Sequence, residues 1–131
     1  MSEQNLQAAR RGFEAFNARD VDELIALADP DCEWLPFRAQ LEGGSYRGHD
    51  GVRRFVADMA EDWSEFQVEL DELSGLGERV LLIGRVRAIA RGSGLAVNNR
   101  VGFVLGYRDG RIHRLVSYSD PDAARRAAQE A

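Results

Sequence analysis

Hydrophobic residues at the start of the chain recur at helical spacing. Leu6, Ala9, Phe13 and Phe16 fall on one stripe, which predicts a helix over about residues 3–18. A shorter helix follows. Asp20 reads as its N-cap, with Glu23 three positions on as capping-box partner. Leu24, Ile25, Leu27 and Ala28 give it an apolar face. Asp29-Pro30-Asp31 stops it, because the residue before a proline is pushed out of the α region. Cys32 to Phe37 reads as a short strand with Pro36 at its end. Glu42-Gly43-Gly44-Ser45 reads as a loop. Tyr46-Arg47-Gly48 then leads into a third helix, His49 to about Asp62, with Val52, Phe55, Val56, Met59 and Trp63 as its buried stripe.

After residue 65 the period changes to two. Phe66, Val68 and Leu70 alternate with Gln67, Glu69 and Asp71 in a half-buried strand. A turn at Ser74–Glu78 leads to a long strand, Arg79–Arg91. One of its faces carries Val80, Leu82, Val86, Ala88 and Ala90, the other Arg85, Arg87 and Arg91. Gly92-Ser93-Gly94 and Asp109-Gly110 are hairpin turns flanking strands at Leu95–Tyr107 and Arg111–Ser119. Asp120 caps a closing helix with Pro121 at its first position. Helices followed by an antiparallel sheet that they cover on one side make an α+β fold. No internal repeat is present, and residues 1–131 read as one domain.

Composition narrows the chemistry. A chain of 131 residues with 44% hydrophobic and 30% charged positions can bury one real core. The formal charge of −5 argues against a nucleic-acid partner. No apolar run reaches the roughly 18 residues of a membrane span, and the start of the chain lacks the pattern of a signal peptide. A cytoplasmic protein is expected. All 17 basic residues are Arg, which removes Schiff-base and general-base lysines. Cys32 is the single cysteine, and His49 and His113 lie far apart, so neither a disulfide nor a local zinc motif is implied. No cofactor is expected.

The element order, Tyr46-Arg47-Gly48-His49-Asp50-Gly51-Val52 before the third helix, Tyr107-Arg108-Asp109-Gly110-Arg111-Ile112 in the last hairpin and the ending Ser117-Tyr118-Ser119-Asp120-Pro121 together resemble a known group. It is the SnoaL-like branch of the nuclear transport factor 2-like superfamily. The resemblance implies a curved sheet whose concave face, closed by the N-terminal helices, forms a cone-shaped apolar pocket. The fold hosts isomerases, cyclases, hydrolases and binding proteins, so it does not by itself assign an activity.

Catalytic positions carried over from the resemblance are chemically inert here. The ketosteroid isomerase-like pattern puts its first-helix tyrosine at Gly12, its base at Pro36 and its sheet aspartate near Phe103. Cyclases and limonene epoxide hydrolase-like enzymes put an acid at Ser117, and the hydrolases' Arg-x-Asp is replaced by Arg100-Val101-Gly102.

Strand parity gives the expected pocket wall. Val97, Asn99, Val101, Phe103, Leu105 and Tyr107 face inward on one strand. On the last strand the family register gives His113, Leu115, Ser117 and Ser119; the alternative face is Ile112, Val116 and Tyr118. The candidate ligand residues are Trp34, Tyr46, Asn99, Phe103, Tyr107 and Ser117. His113 is the candidate acid/base, as the inward group that titrates near neutrality, with Ser117 or Asn99 orienting a carbonyl. The opposing reading makes His113 a strand histidine bonded to a neighbour, Trp34 and Trp63 core, and Tyr46 plain packing. His49 reads as an exposed residue at a helix start and Cys32 as a small buried hydrophobe. Arg85, Arg87 and Arg91 form a solvated face or an interface balanced by Glu69 and Asp71.

Three functions follow. The first is a pocket protein for a small apolar, cyclic organic ligand. The second is a cofactor-independent isomerase, polyketide cyclase or hydrolase that uses His113. The third is a dimerisation module without ligand. A homodimer through the outer sheet face is the expected assembly.

Overall fold

The N-terminal stripe folds as α1 (Ser2–Ala18) in a computed structural model that describes residues 2–130; Met1 and Ala131 lie outside the described residues. Arg19 ends α1 in the left-handed region at φ 60°. Its N–H donates to Phe16 O at 3.1 Å, and that of Asp20 to Ala15 O at 2.8 Å, a Schellman ending without glycine. The Arg19 guanidinium holds the bend by donating to Phe16 O and Phe66 O. α2 (Val21–Leu27) is capped as expected by Asp20, which accepts the Glu23 N–H at 3.1 Å. Half of the capping box forms: the Asp20 N–H is already used on α1, and Glu23 pairs with Arg11.

α2 ends just before Asp29-Pro30-Asp31, as expected, but β1 (Ala28–Leu35) starts ahead of Cys32, so this run is strand. The Asp29 carboxylate accepts the Asp31 N–H at 2.7 Å and is paired with Arg108, which draws this run into the sheet at a register shift between Ala28 and Glu33. Pro36 then caps a short helix that the sequence pattern did not predict, α3 (Phe37–Glu42). Gly43, at φ 75°, ends it in the left-handed conformation that glycine adopts without strain. β2 (Tyr46–Arg47) leads into α4 (Gly48–Asp62), which buries Val52, Phe55, Val56 and Met59. Trp63 belongs to the next element, β3 (Trp63–Leu76), which leaves α4 without a loop. β4 (Arg79–Ala90), β5 (Ala96–Arg108), β6 (Arg111–Tyr118) and α5 (Pro121–Gln129) complete the chain. Asp109 and Gly110 both have positive φ, as the tight β5–β6 hairpin requires.

The six strands form one sheet in the order β2-β1-β6-β5-β4-β3. The sheet is mixed and not wholly antiparallel, because β1 lies parallel to β6. β3 is an edge strand. Asn17 at the end of α1 blunts that edge: its side chain donates to Val68 O at 2.9 Å and accepts the Val68 N–H at 3.0 Å.

The N-terminal helices cover the face that carries Val80, Leu82, Val86 and Ala88. α5 covers the opposite face, packing Ala124 and Ala128 on Leu81, Ile83 and Val104. Arg79 donates to the α5 carbonyls of Ala127 and Ala128 at 3.2 Å each, which satisfies orphan acceptors at the helix end. Gly102 is the contact point: a Cβ there would sit 2.4 Å from the Cβ of Ala124. The outer face is therefore not one open arginine stripe. Arg87 pairs with Glu69 at 3.2 Å, and Arg91 donates to Ala60 O and Trp63 O near the end of α4. Tyr118 packs against the α5 cluster, and Ile112 is on the inner side. Among the described residues, no helix is long and apolar enough to cross a membrane.

Candidate functional site

Between the N-terminal helices and the inner sheet face lies a cavity of about 510 Å³. All six Phe and both Trp of the chain line it, and none of the three Tyr does. Phe13 and Phe16 come from α1, Trp34 from β1, Phe37 from α3, Phe55 from α4, Trp63 and Phe66 from β3, and Phe103 from β5. Phe55 is the hub. Its ring stacks on Phe16 at 5.8 Å and meets Trp34 edge-on at 5.8 Å. Phe16 meets Phe66 at 90°, and Phe66 meets Trp63 at 5.7 Å. These are the offset and edge arrangements that aromatic quadrupoles favour.

Strand register sets the sheet wall. Phe103 is opposite Ser117, and Leu105 opposite Leu115; all four line the cavity. A register shift after Gly106 then pairs Tyr107 with Ile112. Ile112 enters the wall, and His113 does not line it. The Nδ1 of His113 is buried without a hydrogen-bond partner, and its ring is near enough to Asp29 to favour that carboxylate. The acid/base expected at this wall position is thus replaced by an isoleucine.

Of the expected ligand residues, Trp34, Phe103 and Ser117 line the cavity. Tyr46 packs behind Phe55 at 5.3 Å and donates its hydroxyl to Asp58 at 2.6 Å. Tyr107 is buried beside Ala8, Ala9, Val80 and Ile112, and its hydroxyl has no partner; burial pushes its pKa far up. Asn99 is exposed and borders a different hollow. His49 is half-buried, with Nε2 3.1 Å from Ala28 O, and not the exposed residue expected. Cys32 is buried as expected, and burial raises its thiol pKa.

The inner wall carries little polarity. Ser117 is 3% exposed, and Trp34 is 2% exposed with its Nε1 unpartnered. The two wall carboxylates, Glu42 and Asp62, are exposed, as is Leu41 at 88%; these three mark the mouth. Among the described residues no group of three or more His, Cys, Asp or Glu is placed to hold a metal. The four positions the family resemblance singles out, Gly12, Pro36, Phe103 and Ser117, all fall in this wall.

The SnoaL-like domain family matches residues 9–115. The chain belongs to the SnoaL-like family. An uncharacterized protein of Mycobacterium tuberculosis is 32% identical to it over 123 residues, covering 91% of this chain and 92% of the relative. Among solved structures, a nuclear transport factor 2-like protein of unknown function from Burkholderia pseudomallei superposes with a TM-score of 0.81 at 26% identity, over 97% of this chain and 98% of that one. TerC, co-crystallized with polyporic acid, superposes with a TM-score of 0.79 at 21% identity, over 97% and 99%. The SnoaL-like fold of this chain is thereby fixed.

The sequence reading missed most of the SnoaL-like wall. Phe13, Phe16 and Phe55 read there as core stripes, and Phe37 as a strand end. A signal was available. Phe and Trp concentrate on the helices and strands that bound the cone, and tyrosine, the aromatic with a polar tip, is kept out of it.

Proposed function

We propose that this SnoaL-like protein binds a small, uncharged, flat aromatic or polycyclic molecule inside its cavity and holds it without acid–base turnover. One observation carries the reading: every Phe and Trp of the chain lines one hollow of about 510 Å³. That volume lies in the range of small-molecule sites, which are mostly apolar with a few placed polar groups. Ser117 and the indole of Trp34 are the polar side chains of the inner wall. The carboxylates that line the cavity, Glu42 and Asp62, stand at its exposed mouth, and no histidine lines it, so the inner wall holds no acid–base group. That TerC, with the same fold, was co-crystallized with polyporic acid supports a bound organic molecule.

A thermal-shift series with naphthalene, phenanthrene and pyrene tests the reading, since a ligand that binds only the folded state raises its stability. The expected result is a rise in Tm with at least one of them in the wild-type protein, lost in Gly12→Phe. Gly12 lines the cavity, and a Cβ there makes ordinary contacts, so the phenyl ring would occupy the ligand's space. No shift with any compound, or equal shifts in both proteins, would contradict it.

A further inference from the structure

Among the described residues, Ser117 supplies the one hydroxyl of the cavity wall. Strand alternation puts its side chain on the same face as Leu115, two positions earlier, and its cross-strand partner Phe103 shares that face. On the other flank of β6, Trp34 of β1 lies opposite Leu115. The backbone at Ser117 is held from α3: its carbonyl accepts the Gln40 side chain at 2.9 Å, and the same amide nitrogen donates to Leu35 O at 2.7 Å. The hydroxyl itself is free. Ser117 is 3% exposed, and its Oγ makes no hydrogen bond among the described residues.

A hydroxyl taken out of water into an apolar wall is unfavourable unless a partner meets it there. Its hydrogen is the stronger demand, because in folded proteins an unpaired donor is rarer than an acceptor with a spare lone pair. Trp34 adds a demand of the same kind: its indole N–H can only donate, and it is buried without a partner. The carboxylates that could accept, Glu42 and Asp62, stand at the exposed mouth. The inner wall therefore lacks an acceptor, and a ligand can bring one.

We propose that Ser117 is a specificity residue whose hydroxyl donates to a ring ketone on the uncharged flat molecule that fills the cavity. The inference rests on the aromatic-cavity reading above and narrows it from aromatic molecules in general to aromatic ketones. The rings lie among the Phe and Trp side chains, and the carbonyl oxygen meets the sheet at Ser117. The contact sets which edge of the ligand faces β6, a choice that the apolar side chains around it leave open. A ring N–H, which only donates, would leave the hydroxyl hydrogen without a partner. A neutral hydrogen bond of this kind changes affinity by about fivefold.

Fluorene and 9-fluorenone share one ring outline and differ in the ketone oxygen. Equilibrium dialysis of each against the wild-type protein and Ser117→Ala tests the contact. The variant should bind fluorenone about fivefold more weakly than the wild type does. Fluorene should bind both proteins within about twofold, which also shows that the variant is folded with its cavity open. The infrared C=O stretch of bound fluorenone should lie lower in the wild type than in Ser117→Ala, a change that packing alone does not produce. Equal fluorenone affinity in the two proteins, an equal loss for both probes, or an unmoved stretch overturns the contact and leaves the cavity standing. Failure of both probes to bind the wild type overturns the cavity reading and this inference with it.

Discussion

Tyr107 pairs with Ile112 across β5 and β6, one residue short of the partner that an unbroken ladder would give it. Every pair from Gly102 to Gly106 follows the regular register, and the slip inserts His113 as the extra residue of a bulge. Ile112 thereby faces the ligand space, and the one histidine of the sheet is left out of the cavity wall. Removing the imidazole should therefore leave the cavity intact. His113→Ala is expected to bind pyrene with a Kd within about twofold of wild type, since the substituted side chain shares no wall with the ligand. A loss of binding in a folded variant would place the histidine back in the site.

The hydroxyl of Tyr107 is a buried polar group without a partner. Such a group costs about 1–3 kcal/mol of desolvation that nothing returns. Tyr107→Phe keeps the ring among Ala8, Ala9 and Val80 and removes the oxygen. Urea unfolding should show stability unchanged or raised by about 1 kcal/mol. A clear loss would mean that the hydroxyl is satisfied by an ordered water.

Two glycines should respond in opposite directions to the same substitution. Gly12 sits within α1, and an added Cβ would meet the Ile112 and Leu27 side chains at 3.7 and 3.9 Å, ordinary contacts. Gly12→Ala should stabilise by about 0.5–1 kcal/mol through helix propensity. At Gly102 the Cβ would lie 2.4 Å from that of Ala124, so α5 must shift. Gly102→Ala should cost about 1–3 kcal/mol by overpacking. Thermal unfolding of the two variants side by side checks both signs.

Acid should weaken the join between β1 and β5. The Asp31 N–H and then the Arg108 guanidinium hold the Asp29 carboxyl below its usual pKa. A depressed folded pKa gives stability that is fully present above the unfolded value of about 3.9 and is lost as pH falls through the folded value. Stability should therefore drop as the pH falls below about 4, and Asp29→Asn should flatten that part of the curve. An unchanged acid limb in the variant would show that other carboxylates account for it.

The fold was legible in the sequence where periods were long and unbroken. The α1 stripe, the alternation of β3 to β6 and the Asp109-Gly110 turn each have a local cause, and each formed. Three features were not legible because their cause is not local. The Asp29-Pro30-Asp31 run is strand because Arg108, far along the chain, pairs with Asp29. α3 spans six residues, too few to show a period, and Gln40 anchors it by donating to the carbonyls of Leu35 and Ser117. The slip after Gly106 leaves the composition of β6 untouched while it exchanges His113 for Ile112 in the wall. The site was legible in part for the same reason. Trp34, Phe103 and Ser117 depend on regular parity and were found; His113 is the extra residue of a bulge, and Tyr107 and Asn99 sit toward the strand's two ends, beyond the cavity.

The central claim is that a flat aromatic molecule occupies the space inside the cone, and methyl NMR with phenanthrene tests it most directly. Ring-current shifts are expected at Met59, Leu82, Leu105 and Ile112, which line the cavity, with Leu81 and Ile83 under α5 unmoved. Shifts confined to the α5 side, or no shift at saturating phenanthrene, would contradict the account.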